Sequence, residues 1–336
     1  MNVKYYNRID YEEIGEENSE IILFLHSKIV SKWIWIKQKE NNDKYFNNYN
    51  CIFIDLPHHG KSRFNGDFSI NESSEAIIDF IEFLLENKNR DIEKKMAADK
   101  KEKSRGDEFS EEKKEKNLVN SINIVALGLG GSIALQILNK KPDLINKLIL
   151  SGVEIAHKKE KIEKSPISRL AKTKAEFLNL KPDTFIVKAY LRYYEIKKEY
   201  YDYLDKDLDL SIKKEKEIAF ESYNFTFRDV FKEDEYVPVK NRNHYKNKFL
   251  KKEYNSIIDK ENILIIYGNK EDLTCTQSAI ELKNRLINAR LIEIDKGNHL
   301  WNIIDDELFN NTVKCFLNEN KIYKDHKIRI RDQVFK

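Results

Sequence analysis

Three cysteines in 336 residues, far apart at Cys51, Cys275 and Cys315, form neither a spaced metal-ligand motif nor a dithiol redox motif. Cys51 opens an apolar run and reads as a small packed side chain. No apolar run approaches the roughly 18–20 residues that a membrane-crossing helix needs. The stretch from Met1 to Tyr11 is polar and lacks the apolar core of a signal peptide. A strong charge bias is also missing: 60 Lys+Arg face 57 Asp+Glu, for a net charge of +3. That balance argues against a nucleic acid or an anionic membrane as partner. Charged residues are 35% of the chain and fall mostly in Lys/Glu runs, which read as solvated surface. The expectation is a soluble, cytoplasmic protein that meets a small-molecule ligand or substrate, with its oligomeric state open.

What the chain does have is a set of short, mostly apolar runs at 21–25, 51–56, 122–127, 146–151, 263–267 and 290–294. Half-exposed strands alternate; strands buried on both faces of a parallel sheet read like this. Helical patterns lie between them, for example over 75–85, and the alternation predicts an α/β, doubly wound, mostly parallel sheet. Two stretches interrupt it. Residues 87–120 are nearly devoid of large apolar side chains and are expected to form a charged, mobile surface insert. Residues 153–255 are helical in pattern and rich in aromatics, among them Tyr200, Tyr201, Tyr203, Phe225 and Phe227. The expected organisation is a core over 1–152, a second lobe over 153–255, the rest of the core over 256–320 and a basic tail over 321–336.

The run 122–127 enters Gly128-Leu129-Gly130-Gly131-Ser132, a tight small-residue turn that opens a helix. Strand, sharp turn and helix make a nucleophile elbow, usually G-x-S-x-G. Here Ala126 takes the first glycine, Gly130 the last, and Gly128 the place of the serine. Four more pieces follow in fitting order. His26-Ser27-Lys28-Ile29-Val30-Ser31, with Trp33 and Trp35 beyond, resembles an H-G-x-x-x-S…W oxyanion loop. Asp55-Leu56-Pro57-His58-His59-Gly60-Lys61-Ser62 resembles D-x-P-G-H-G-x-S, with His58 in place of a glycine. Gly268-Asn269-Lys270-Glu271-Asp272 resembles the acid turn G-x-x-D/E, and Gly297-Asn298-His299 the G-x-H turn. Together these resemble the α/β-hydrolase superfamily over roughly 15–86, 121–152 and 260–317.

The resemblance implies that His299 is the base and Glu271 the acid, with Asp272 as the fallback. It implies backbone oxyanion donors at Leu129 and at Ser27 or Lys28, and a helical cap over 153–255. It calls for no cofactor and no metal. Because Gly128 supplies no hydroxyl, the first expectation is a hydrolase relative unable to form an acyl-enzyme, binding a small apolar or amphipathic ligand under the cap. Two alternatives stay open. One is a general-base enzyme using His299 and Glu271; the other is an esterase with Ser27 or Ser132 as surrogate nucleophile.

Overall fold

The computed structural model describes residues 2–102, 118–155, 195–203, 218, 221–222, 225–231, 262–286 and 288–332. Among the described residues nine strands form one sheet: β1 (Asn2–Tyr6), β2 (Ile9–Ile14), β3 (Ile21–Leu25), β4 (Asn50–Ile54), β5 (Ile122–Leu127), β6 (Ile145–Ser151), β7 (Ile263–Gly268), β8 (Arg290–Ile294) and β9 (Ile328–Ile330). Their spatial order is β1-β2-β4-β3-β5-β6-β7-β8-β9. The six inner strands, β4-β3-β5-β6-β7-β8, run parallel and are the six apolar runs of the sequence. Antiparallel strands finish both edges: β1 and β2 on one side, β9 on the other.

The inner strands are buried on both faces because each face has its own apolar layer. Ile21, Leu23 and Leu25 of β3 point into one cluster, and Ile22 and Phe24 into the other. The first cluster is closed by the helices α1 (Ile70–Glu102), α2 (Leu129–Lys140) and α3 (Leu273–Arg285). The second is closed by Trp35, Phe46, Trp301 and α4 (Asp306–Glu319), which contributes Phe309, Val313 and Phe316. With helices on both faces, every loop at the carboxyl ends of the parallel strands meets at one edge, where open α/β sheets bind ligands.

Helix α1 continues past the apolar stretch 75–85 to Glu102, well into the charged segment 87–120. The base of that segment is tied: Asn89 Nδ2 donates to the Val119 carbonyl (3.0 Å), and the Val119 N–H donates to Asn89 Oδ1 (2.7 Å). Residues 103–117 and most of 153–255 lie outside the described residues, as do the cap expectations that rest on them. Of the aromatics there, Tyr200 and Tyr203 stack on Trp33 with ring centroids 6.1 and 5.6 Å away. Phe225 and Phe227 are buried in the first cluster. The tail 321–336 supplies the edge strand β9, whose Arg329 pairs with Glu293; Arg331, just beyond it, pairs with the same carboxylate. Among the described residues, no helix is long and apolar enough to cross a membrane.

Candidate functional site

Five loops at the carboxyl edge of the sheet bring the site together: Ser27 follows β3, Gly128 follows β5, Glu154 follows β6, Glu271 follows β7 and His299 follows β8. The β3 loop is held by His26, which is fully buried. Its Nε2 accepts the Leu56 N–H (2.9 Å), so the ring proton resides on Nδ1 and is donated to the Ser27 carbonyl (2.7 Å). Burial, and then the neighbouring His59 ring 5.0 Å away, push the His26 pKa well below its ordinary value. The imidazole therefore stays neutral and keeps both bonds. The His26 carbonyl in turn accepts the Gly130 N–H (3.1 Å), which ties the β3 loop to the start of α2. That contact needs glycine: a Cβ on residue 130 would lie 2.6 Å from the Leu25 carbonyl oxygen and 2.7 Å from that of His26.

Gly128 sits between β5 and α2 at φ 48° and ψ −113°, a conformation costly for any residue with a Cβ. The missing Cβ also makes room. Built onto Gly128, it would overlap Ser27 Oγ and come within 2.7 Å of His299 Nε2. A side chain at 128 would therefore point at His299, and the hydroxyl that occupies that space belongs to Ser27. Ser27 Oγ lies 2.8 Å from His299 Nε2. His299 Nδ1 lies 2.9 Å from Glu271 Oε1, and Glu271 Oε2 accepts the Gly268 N–H (2.9 Å). With Nδ1–H donated to the carboxylate, Nε2 is left as the acceptor for the Ser27 hydroxyl. His299 and Glu271 side chains are 4% and 2% exposed, so this chain of bonds runs in a dry setting.

The sequence named both Glu271 and Asp272 for the acid; the structure pairs His299 with Glu271, while Asp272 sits in the N-cap position of α3 without a side-chain capping bond. Ser132, the other surrogate serine, turns its hydroxyl toward the Glu154 carbonyl (3.4 Å). Leu129 is the first residue of α2, and its N–H is one of the donors that a helix start leaves without an intrahelical acceptor. Lys28 follows Ser27 and pairs with Glu154 at 2.6 Å. Burial alone would raise the Glu154 pKa, but the Lys28 ammonium, the nearby His299 and the Cys275 hydrogen bond together outweigh it and hold the carboxyl below its usual range. His58, which takes a glycine's place in the motif, adopts a glycine-like φ of 66°.

A small pocket opens over the site, lined by Ser27, Lys28, Gly128, Leu129, Ser132, Glu154, Ser222 and His299. Sequence reasoning missed Glu154 and Cys275. Cys275 Sγ lies 3.7 Å from the Gly152 carbonyl oxygen and 3.7 Å from Glu154 Oε1. Burial, followed by the nearby Glu271 and Glu154 carboxylates, pushes its thiol pKa well above the usual value. The one available signal was positional: Glu154 is a charged residue three places beyond Ser151, the last residue of β6.

This sheet, with its helices on both faces and its loops converging at the carboxyl edge, is the α/β-hydrolase fold. Solved structures of that fold superpose along nearly the whole chain. A hydrolase from Pseudomonas aeruginosa matches with a TM-score of 0.63 at 14% identity, covering 94% of this chain and 98% of the other. MenH from S. aureus matches with a TM-score of 0.62 at 15% identity, covering 94% and 99%. An esterase from Exiguobacterium antarcticum matches with a TM-score of 0.61 at 16% identity, covering 93% and 96%. No protein-family model and no curated protein matches the sequence. At such identities the likeness establishes the fold, and the chemistry has to be read from the residues.

Proposed function

We propose that the chain is a serine hydrolase whose nucleophile is Ser27, on the loop after β3, with His299 as base and Glu271 as the orienting acid. One observation carries this reading: Ser27 Oγ is 2.8 Å from His299 Nε2, in the space that the glycine at 128 leaves open. It favours the surrogate-serine alternative over a ligand binder without acyl-enzyme chemistry, because a hydroxyl adjoins the base even though the elbow carries none.

In this scheme Ser27 Oγ attacks the substrate carbonyl carbon and passes its proton to His299 Nε2. Glu271 stabilises the imidazolium that forms. The Leu129 N–H at the start of α2 faces the developing oxyanion, where a donor of this kind is worth about 3–4 kcal/mol of barrier. The imidazolium protonates the leaving group, giving an ester on Ser27. Water then attacks that ester, with His299 as base again, and restores the hydroxyl. The polar lining from Lys28, Ser132, Glu154 and Ser222 suits a short, polar acyl group better than a purely apolar one.

The test is a fluorophosphonate probe followed by peptide mapping, alongside p-nitrophenyl acetate turnover. Wild type should carry the label on Ser27, and Ser27→Ala and His299→Ala should each lose both label and turnover. Turnover that survives in Ser27→Ala but not in His299→Ala would support the general-base enzyme instead. Label on another serine, or none at all, overturns the proposal.

A further inference from the structure

The strand-end loops that hold His299 also gather a donor set that includes the His299–Glu271 pair and extends beyond it to a cysteine and a second carboxylate. His299 Nδ1, Glu271 Oε1 and Cys275 Sγ all lie within 4.8 Å of one another. A fourth donor, Glu154 Oε1, is 3.7 Å from the sulfur, and so is the Gly152 carbonyl oxygen. Tetrahedral zinc bonded at about 2.0–2.3 Å spaces its ligand atoms about 3.3–3.8 Å apart. The sulfur–carboxylate distance already matches, the 2.9 Å between His299 Nδ1 and Glu271 Oε1 would open by about 0.4 Å, and a separation at the 4.8 Å limit would close by about 1 Å. The backbone of Gly152 approaches the pair closely without filling the space with a side chain: a Cβ there would collide with Glu271 Oε1 and sit 2.7 Å from His299 Nδ1.

We propose that the Glu271–Cys275–His299 cluster, with Glu154 as fourth ligand, is an inhibitory site for a thiophilic divalent cation such as Zn2+. One nitrogen, one sulfur and two carboxylates suit zinc or cadmium and are a poor match to magnesium or calcium. Three of the donors come from short segments that follow β6, β7 and β8, and Cys275 lies in the first turn of α3, so rigid elements position all four. The cation reaches them through the pocket that Glu154 and His299 line.

The consequence for the proposed reaction follows from proton positions, and only this part rests on the Ser27 reading. Binding takes the Nδ1 lone pair, so the ring proton moves to Nε2, and the Cys275 thiol gives its proton to solvent. Nε2–H then donates to Ser27 Oγ and can no longer accept the proton that nucleophilic attack releases. The cation therefore stops turnover without touching the substrate.

Binding is tested directly, without activity. Cadmium titrated into the purified chain should give a thiolate-to-metal absorption band that saturates at one equivalent. Cys275→Ser should lose the band, Cys315→Ser should keep it, and Glu154→Gln should weaken zinc affinity at least tenfold by calorimetry. Magnesium at the same concentration should give no heat. No band, or a band of equal size in a folded Cys275→Ser protein, overturns the site. Where ester turnover is present, zinc should suppress it in wild type and spare it in Cys275→Ser; equal suppression in both removes the inhibitory role. A cadmium band in a protein that carries no probe on Ser27 would sink the nucleophile and leave the metal site standing.

Discussion

The Ser27 hydroxyl occupies the space that a side chain on Gly128 would need. Two residues 101 positions apart thus compete for one place beside His299 Nε2, and the glycine yields it to the serine.

Gly128→Ser is therefore expected to destabilise the protein on two counts. The added Cβ sits at positive φ, and it collides with Ser27; each effect is worth about 1–3 kcal/mol. Removing the collision with Ser27→Gly in the same chain should recover part of the loss and return the hydroxyl to the elbow. Urea unfolding of the four proteins closes a double-mutant cycle. Additive effects would mean that the two side chains do not meet.

Glu271→Gln should lower ester turnover by about 10³–10⁴-fold while Asp272→Asn leaves it within about twofold. The Gly268 N–H fixes one position of the side-chain amide as an oxygen acceptor. The amide NH2 then faces His299 Nδ1, where only a donor-accepting nitrogen satisfies it. The ring proton is driven to Nε2, the wrong nitrogen for accepting from Ser27. Steady-state kinetics on both variants decides the matter, and a reversed order of effects would make Asp272 the working acid.

Stability should fall as the solution is acidified below about pH 6.5, before the carboxylates titrate. Burial pushes His59 down to about 4 and His26 well below its ordinary value. In that interval the unfolded histidines take up protons that the folded ones refuse. The stabilisation is complete above the unfolded pKa of about 6.5 and is lost as pH drops toward 4, by roughly 3 kcal/mol for His59. Unfolding free energies at pH 7 and pH 5 should differ less in His59→Asn than in wild type. An unchanged difference would remove His59 from the account.

Replacing residues 93–116 by a short Gly/Ser linker should cost less than about 1 kcal/mol. Asn89 and Val119 stay in place and already bring the two ends of the segment within hydrogen-bond distance. Thermal melts followed by circular dichroism give the readout. Adding Asn89→Ala to the shortened chain should then lower the melting temperature; if it does not, the two-bond clamp is not what holds the base.

The core of the fold was legible because its six inner strands are buried on both faces for most of their length. They are therefore written as mostly apolar runs, broken at positions such as Asn146, Lys147, Arg290 and Glu293. The edges were not. In β2, Asp10 is buried beside Lys32 and Asp55, and Glu12 and Glu13 are half-buried in ion pairs, so the strand reads as polar sequence. Strand β9 is short, and the Arg329 on it and Arg331 just beyond sit over a single glutamate of β8. At the site, motif order pointed to His299 and Glu271, and Ser27 was already in view as an oxyanion donor and surrogate serine. Its direction was not, because His26 sets it through a neutral ring that accepts from Leu56 and a backbone carbonyl that accepts from Gly130, 30 and 104 positions away. Cys275 escaped for the same reason: its neighbour Glu154 is 121 positions earlier in the chain.

The bond between Ser27 and His299 spans 272 positions, nearly the length of the chain. Because a ribosome builds the protein from its amino end, the serine emerges early and waits without its base until the last parallel strand, β8, has been made. Under the proposed reaction, a chain stopped before β8 carries the serine without its base. Probe labelling of Ser27 in nascent chains would then mark the moment the site is assembled, and each labelled molecule would be one whose six parallel strands had come together.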